Sequence, residues 1–201
     1  MTDKFYLDRM DITMSLISKD KKEILILGDS NKEYVPTKLR ERDEGFLVKT
    51  LNLAGDADII SDLNKKIPLK NDSVDCVVAG EVLEHLYGTN FFLEEVHRVL
   101  KKDGEFILSI PNVVCFKNRI KVLFGKLPTY CADTDEWIKL ADYSGHVKDF
   151  NLELIKRLLI SKGFKIKVTT TNGIYVRFKK VFPRSLTPTT FGDGLIIKSV
   201  K

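Results

Sequence analysis

The chain has 201 residues, 43% of them hydrophobic and 30% charged, with 33 basic against 28 acidic side chains and a formal charge of +5. This is ordinary globular composition at single-domain length, which excludes wholesale disorder and low-complexity chains, and no apolar run approaches the roughly 18 residues of a membrane span. Three cysteines, Cys76, Cys115 and Cys131, show neither CxxC nor CxH spacing. A disulfide framework and a zinc site are therefore disfavoured, no metal ligands are assigned, and a reducing, cytoplasmic setting is expected. The first twenty residues are interrupted by acids and do not read as a secretory leader.

No repeat or Pro/Gly/Ser-rich linker divides the sequence, so residues 1–201 read as a single domain. Phe5, Met10, Ile12 and Leu16, with charges between them, predict a short amphipathic helix. Ile24-Leu25-Ile26-Leu27 is a continuous apolar run ending at Gly28, the pattern of a strand buried on both faces of a parallel sheet. From Lys32 to Arg42 the chain is polar and broken by Pro36, leaving room for a short helix at most. Phe46 to Leu51 and Asp58 to Ile60 read as second and third strands, too close together for the usual crossover helix. Lys70-Asn71-Asp72-Ser73 turns into a fourth strand from Val74 to Ala79. Phe92, Val96, Val99 and Leu100 then recur at helical spacing, predicting a helix that starts near Thr89 or Asn90 and stops at Gly104. A fifth strand runs from Phe106 to Ile110 and ends at Pro111.

Residues 112–147 hold an amphipathic stretch and then a polar insert with Tyr130, Trp137 and Tyr143, which reads as a lid. Asn151 caps a helix with Leu152, Ile155, Leu158 and Leu159, closed by Gly163. Phe164 to Val168 alternates as a strand with one wet face, and Leu195-Ile196-Ile197 ends the chain as a last strand. Strands alternating with helices give an α/β sheet covered on both faces, with ligands at the carboxyl ends of its strands.

Asp62-Leu63-Asn64, Ile67-Pro68-Leu69, Asn71-Asp72-Ser73-Val74-Asp75 and Gly80-Glu81-Val82-Leu83-Glu84-His85-Leu86 form one connected pattern. It continues through Glu95 to Gly104, Ser109-Ile110-Pro111-Asn112, Gly145 to Phe150 and Phe191-Gly192-Asp193. The whole resembles the class I S-adenosylmethionine-dependent methyltransferases. The resemblance implies a Rossmann-like, doubly wound, mostly parallel seven-stranded sheet with an antiparallel last strand and helices on both faces. It also implies S-adenosylmethionine as cofactor and methyl transfer to a small-molecule or glycan-type acceptor.

A sulfonium methyl is already activated, so the protein's task is alignment and, for a hydroxyl or amine acceptor, removal of a proton. By resemblance, Asp62 accepts from the adenine amino group and the backbone N–H of Leu63 faces the ring. Ala79, Gly80 and Glu81 line the methionine end, with His85 just beyond. His146 is a second candidate base beside the acceptor. Each role has a plainer counterpart: Asp62 as a turn cap, His85 and His146 as packed or helix-entry residues, and the insert's aromatics as packing for one another. His97, on a charged helix face, is read as structural.

The glycine-rich loop departs from the family. Only Gly28 survives; Ile26 replaces the acid, and Ser30 and Lys32 replace the later glycines. Gly28, Asp29 and Ser30 are the candidate loop contacts, and Asn52 stands where an acid grips the ribose. Asp29, Asp56 and Asp58 are candidates to supply the missing charge. These departures support an alternative, a methyltransferase-like fold that has lost the cofactor and serves as a binding or scaffolding protein. A nicotinamide oxidoreductase needs the same missing glycines, and the aromatic-basic stretch from Tyr175 to Phe182 is short for nucleic acid.

Between Leu154 and Gly192 no acid occurs, while Lys156, Arg157, Lys162, Lys165, Lys167, Arg177, Lys179, Lys180 and Arg184 do. The rest of the chain is net acidic, and the basic flank suggests an anionic group on a partner or acceptor.

Overall fold

The computed structural model describes residues 4–28, 34–42, 45–128, 145–176 and 179–201. Asp29, Ser30, Lys32, Cys131 and the insert aromatics Tyr130, Trp137 and Tyr143 lie outside the described residues, and with them residues 129–144 of the expected lid. In chain order the elements are α1 (Lys4–Ser15), β1 (Glu23–Leu27), α2 (Tyr34–Arg42), β2 (Leu47–Asn52), β3 (Ile59–Ile60) and β4 (Val74–Gly80). A single-turn helix at Leu83–His85 precedes α3 (Thr89–Val99), β5 (Leu100–Pro111), α4 (Phe116–Leu123) and α5 (Leu152–Ser161). The chain then forms β6 (Lys165–Thr171), β7 (Ile174–Val176), β8 (Lys179–Phe182) and β9 (Gly194–Val200).

Seven strands form one sheet in the order β3-β2-β1-β4-β5-β9-β6. β9 runs antiparallel to β5 and β6, while the β1–β5 pairings are parallel. The expected Rossmann-like sheet is therefore present. The inner strands are apolar throughout because each face has its own cover. Leu25, Leu27, Val77, Ala79, Phe106 and Leu108 pack with Phe92, Val96 and Val99 of α3 and Ile155 and Leu159 of α5. The alternate residues Ile24, Ile26, Cys76, Val78 and Ile107 pack with Met10 and Met14 of α1 and Val35 and Leu39 of α2. Each such side chain is worth roughly 1.5–3 kcal/mol of burial, so the sheet with its two helical layers is the main store of stability. Among the described residues no helix is long and apolar enough to cross a membrane.

Three expectations change. The third helix stops at Val99 and not at Gly104, because Leu100 is extended (φ −69°, ψ 134°). Val74 pairs with Leu100 and Cys76 next with Glu105, so residues 101–104 are a bulge that lets β5 begin early. Pairing of buried Leu100 in the sheet outweighs one more turn of helix. On α1 the buried side is Met10 and Met14, continued by Ile17 beyond the helix, whereas Ile12 and Leu16 are half-buried. The β7–β8 hairpin is a separate two-stranded sheet and was not foreseen. In it Tyr175 is buried and donates its hydroxyl to Asp8 (2.5 Å), and Lys180 pairs with the same carboxylate (2.6 Å). That hairpin is thus clamped to α1 and does not present Tyr175 for stacking.

The basic flank is partly neutralised by Lys162–Glu94 (2.6 Å) and Arg157–Glu153 (2.8 Å). Lys165 and Lys167 are exposed on β6, the sheet edge, where lysines hinder pairing with other chains. Asn151 caps α5 as expected, its side-chain oxygen accepting from the Leu154 N–H (2.8 Å).

The Phe191-Gly192-Asp193 motif explains itself locally. Asn112, buried at the end of β5, donates to the carbonyls of Thr190 (3.0 Å) and Gly192 (2.9 Å). Asp193 accepts from the Tyr175 N–H (2.7 Å). A Cβ at Gly192 would lie 1.6 Å from Thr171 Oγ1. Gly192→Ala is therefore expected to destabilise the fold by about 3 kcal/mol, the upper range for overpacking, read by urea unfolding; a loss under about 1 kcal/mol would contradict this packing.

Candidate functional site

The carboxyl ends of β1, β2 and β4 lie side by side, and residues separated widely in sequence meet above them. Gly28 leaves β1 in the left-handed region (φ +70°), its N–H donating to Leu51 O (3.0 Å). A Cβ there would fall 2.4 Å from Val82 Cγ2, so close packing as well as φ demands glycine. Asn52 ends β2, and its carbonyl accepts from the Ser61 N–H (2.9 Å), which sets the chain on course for Asp62. Asp58 is engaged elsewhere: its carboxylate accepts from the Thr50 N–H (2.7 Å) and hydroxyl (3.0 Å), bracing β2 against the following turn.

Asp62 is held by its neighbour. Its Oδ1 accepts from the Asn64 N–H (2.9 Å) and side-chain amide (3.1 Å), and these bonds hold the carboxyl below its ordinary value. Among the described residues Oδ2 has the Lys65 ammonium as its ion-pair partner, at 3.9 Å. Leu63 is nearly buried in the α3-side core, and its N–H donates to no group among the described residues. Asn64 turns its own carbonyl oxygen to the N–H groups of Tyr87 (3.0 Å) and Gly88 (3.2 Å), tying this loop to the segment after β4.

A charged bracket fixes the same loop from below. Glu95 on α3 accepts from the Ile67 N–H (2.8 Å) and pairs with Arg98 (2.6 Å). Arg98 in turn donates to the carbonyls of Ile67 and Leu69 (2.8 Å each). The guanidinium beside it holds the Glu95 carboxyl below its ordinary value.

At the end of β4, Ala79 is wholly buried and contributes backbone only. A Cβ on Gly80 would stand 3.0 Å from the Met10 thioether, so α1 closes on this end of the sheet. Glu81 has φ +56°, an uncommon conformation for a side chain other than Asn or Asp, and its carboxylate pairs with Arg9 at 2.9 Å. Glu84 follows on the single-turn helix, almost fully buried. Burial raises its carboxyl well above the ordinary value, and the neighbouring Glu81 charge adds to that. Neither of its carboxylate oxygens meets a donor among the described residues.

His85 and His146 come together, with ring centroids 5.0 Å apart at 73°. The contact is built by the backbone: Val147 and Lys148 donate N–H bonds to Glu84 O (2.7 and 3.2 Å). Lys148 reaches on to Tyr87 O (2.7 Å) and Thr89 Oγ1 (2.9 Å). A tight crevice, too small for a water molecule, is lined by Glu84, His146, Lys148 and Phe150. His97 stands apart, packed edge-on against Phe164.

Two contributors escaped the sequence. Glu84 was part of a quoted motif without a role, though an acid at i and i+3 followed by histidine was its signal. Arg9 gave none, since only the fold brings α1 over β4. The buried thiols of Cys76 and Cys115 are pushed upward by desolvation, the latter to about 11, which removes them as nucleophiles. A groove of about 440 Å³ near Glu23, Leu47 and Val74 lies at the opposite, amino end of the strands.

Comparison with known proteins bears on the fold and on part of the sequence. The family described as "Methyltransferase domain" matches residues 38–108. A "Probable S-adenosylmethionine-dependent methyltransferase" of Mycolicibacterium smegmatis is 43% identical over 51 residues, 25% of this chain and 20% of that protein. One of Mycobacterium tuberculosis is 33% identical over 82 residues, 41% of this chain and 30% of its own length. The matches thus cover less than a third of these relatives. The Burkholderia thailandensis 1,6-didemethyltoxoflavin-N1-methyltransferase, solved with 1,6-didemethyltoxoflavin and S-adenosylhomocysteine, has the same fold at 11% identity. Its TM-score is 0.62, over 100% of this chain and 79% of that one. The architecture is that of a Rossmann-like α/β sheet. Over residues 38–108 the chain is similar to the methyltransferase domain, and its sheet has the topology of the class I S-adenosylmethionine-dependent methyltransferase fold.

The bracket on the Asp62 loop makes a testable demand. Glu95→Gln is expected to cost about 1.5–3 kcal/mol at pH 7, the range for hydrogen bonds to a buried charged group. The Glu95 carboxyl lies below its ordinary 4.5 in the folded protein, so its contribution is present above that pH and fades as pH falls below it. Urea unfolding at neutral and acid pH reads this directly; a difference from the parent that grows on acidification would contradict it.

Proposed function

We propose that this chain binds S-adenosylmethionine above β1, β2 and β4 and methylates a small-molecule or glycan-type acceptor. One observation carries the reading: Asp62 is ionised and clamped through one oxygen only, next to a Leu63 N–H without a protein partner among the described residues. An acceptor and a donor adjacent on one strand end are what the amino group and ring nitrogen of adenine require. Bound there, the cofactor supplies an activated methyl group.

The remaining roles follow from position. Asn52, at the end of β2, is assigned to a ribose hydroxyl. Arg9, held by Glu81, puts a cation at the methionine end, and the Glu81 conformation directs the chain away from the space over β4. His85 and His146 meet beside the turn that follows Glu81, and there either takes a proton from the acceptor. The acid-free stretch with exposed Lys165, Lys167 and Lys179 supports an acceptor or partner bearing an anionic group.

Asn52 in place of an acid favours the second reading, a binding or scaffolding protein with weakened cofactor affinity, because an amide offers no charge to the ribose. Calorimetric titration with S-adenosylhomocysteine separates the two. Binding is expected with a matching rise in melting temperature, since a ligand taken only by the folded state stabilises it. Asp62→Ala should weaken binding about tenfold or more, and Asn52→Asp should strengthen it by a similar factor, each equivalent to one charge-assisted hydrogen bond. No heat and no thermal shift at millimolar ligand leaves only the scaffolding role.

A further inference from the structure

Glu84, His85 and His146 each offer a ligand atom, and the three atoms lie within 4.8 Å of one another. Glu84 is only 1% exposed, and its two oxygens meet no donor among the described residues. A carboxylate buried in this way requires a cation or a proton for compensation. A second acid, Glu81, stands beside it and pairs with Arg9 at 2.9 Å. His85 Nδ1 lies 3.2 Å from Gly145 O. A carbonyl only accepts, so Nδ1 donates to it, the kind of bond that orients metal-binding imidazoles. The chain has three histidines, and two of them are in this cluster.

We propose that Glu84, His85 and His146 form a divalent metal site whose open coordination positions take the acceptor oxygen. Two imidazoles and one carboxylate suit Mn²⁺, Fe²⁺, Co²⁺ or Zn²⁺ better than Ca²⁺. Three protein ligands leave positions for substrate, the mark of a catalytic and not a structural site. Metal bonds of about 2.0–2.2 Å place neighbouring ligands roughly 3–3.5 Å apart, so the most widely spaced pair closes in by up to roughly 1.3–1.8 Å on binding. The metal part stands by itself; the acceptor part rests on the methyltransferase reading and narrows the acceptor to a hydroxyl compound. A hydroxyl bound to a divalent ion loses its proton to water more readily, so with the ion in place the two histidines hold the metal and water replaces them as the base. The acceptor oxygen then forms its bond to the methyl carbon as the carbon–sulfur bond breaks, the electron pair remaining on a neutral thioether sulfur.

The test uses the full chain freed of metal with chelator and titrated with Mn²⁺, followed by electron paramagnetic resonance of the free ion, and with Co²⁺ by visible absorption. One equivalent of Mn²⁺ and a Co²⁺ spectrum of mixed nitrogen and oxygen ligation are expected. His85→Ala and His146→Ala should each weaken binding about tenfold or more, and the isosteric Glu84→Gln likewise, while His97→Ala leaves it unchanged. Melting curves of each variant separate loss of a ligand from loss of the fold. No binding of either ion at about 1 mM, or binding as tight in the double histidine variant as in the parent, overturns the site. Calorimetry with S-adenosylhomocysteine on the same samples tells the two readings apart. Cofactor heat without metal binding removes the metal alone, whereas metal binding without cofactor heat removes the acceptor role and keeps the ion site.

Discussion

Val147 and Lys148 direct their N–H groups at one carbonyl oxygen, that of Glu84, and through those bonds a segment about sixty residues downstream is fastened to the turn after β4. The single-turn helix at Leu83–His85 has few backbone bonds of its own, so this attachment decides where its side chains stand. It seats His146 against His85 and buries the Glu84 carboxyl beneath both. Everything proposed for proton transfer or ion binding depends on it. The Lys148 ammonium, bonded to Tyr87 O and Thr89 Oγ1, extends the attachment to the start of α3.

The sheet supplies a rigid platform for these loops, and three tethers transmit its order to them. The Glu95–Arg98 bracket holds the Asp62 loop to α3. Asn64 joins that loop to Tyr87 and Gly88. α1 crosses the end of β4, with Met10 against Gly80 and Arg9 on Glu81, while Asp8 clamps the β7–β8 hairpin through Tyr175 and Lys180. Site residues carried on loops are positioned within tenths of an ångström only when such supports exist, and here the supports are charged or bidentate.

The sheet was legible because burial on both faces leaves an unmistakable mark: Ile24 to Leu27 and Val74 to Ala79 have no polar face to hide. The capped helix after Asn151 and the wet-edged strand at Lys165 were legible for similar local reasons. What local pattern misled on was the end of α3, where Leu100 satisfies helical spacing yet pairs with Val74. The β7–β8 hairpin was missed because its order comes from Asp8, far away in sequence. In the site, the meeting of His85 with His146 is a tertiary fact with no sequence spacing to betray it. Arg9 is similar, a helical surface residue by pattern and a buried ion-pair partner in the fold. Conversely, the bonds from Thr50 to the Asp58 carboxylate are a tertiary detail that no sequence spacing announced.

The central claim is that a nucleotide cofactor sits over the carboxyl ends of β1, β2 and β4, between Asp62 and Glu81. Amide hydrogen exchange followed by mass spectrometry, with and without S-adenosylhomocysteine, tests that placement most directly. The account requires slowed exchange in peptides spanning 50–65 and 79–87, with no change in the β6 edge strand at 165–171. Unchanged exchange in both peptides, or protection confined to the groove at the amino ends of the strands, would contradict it.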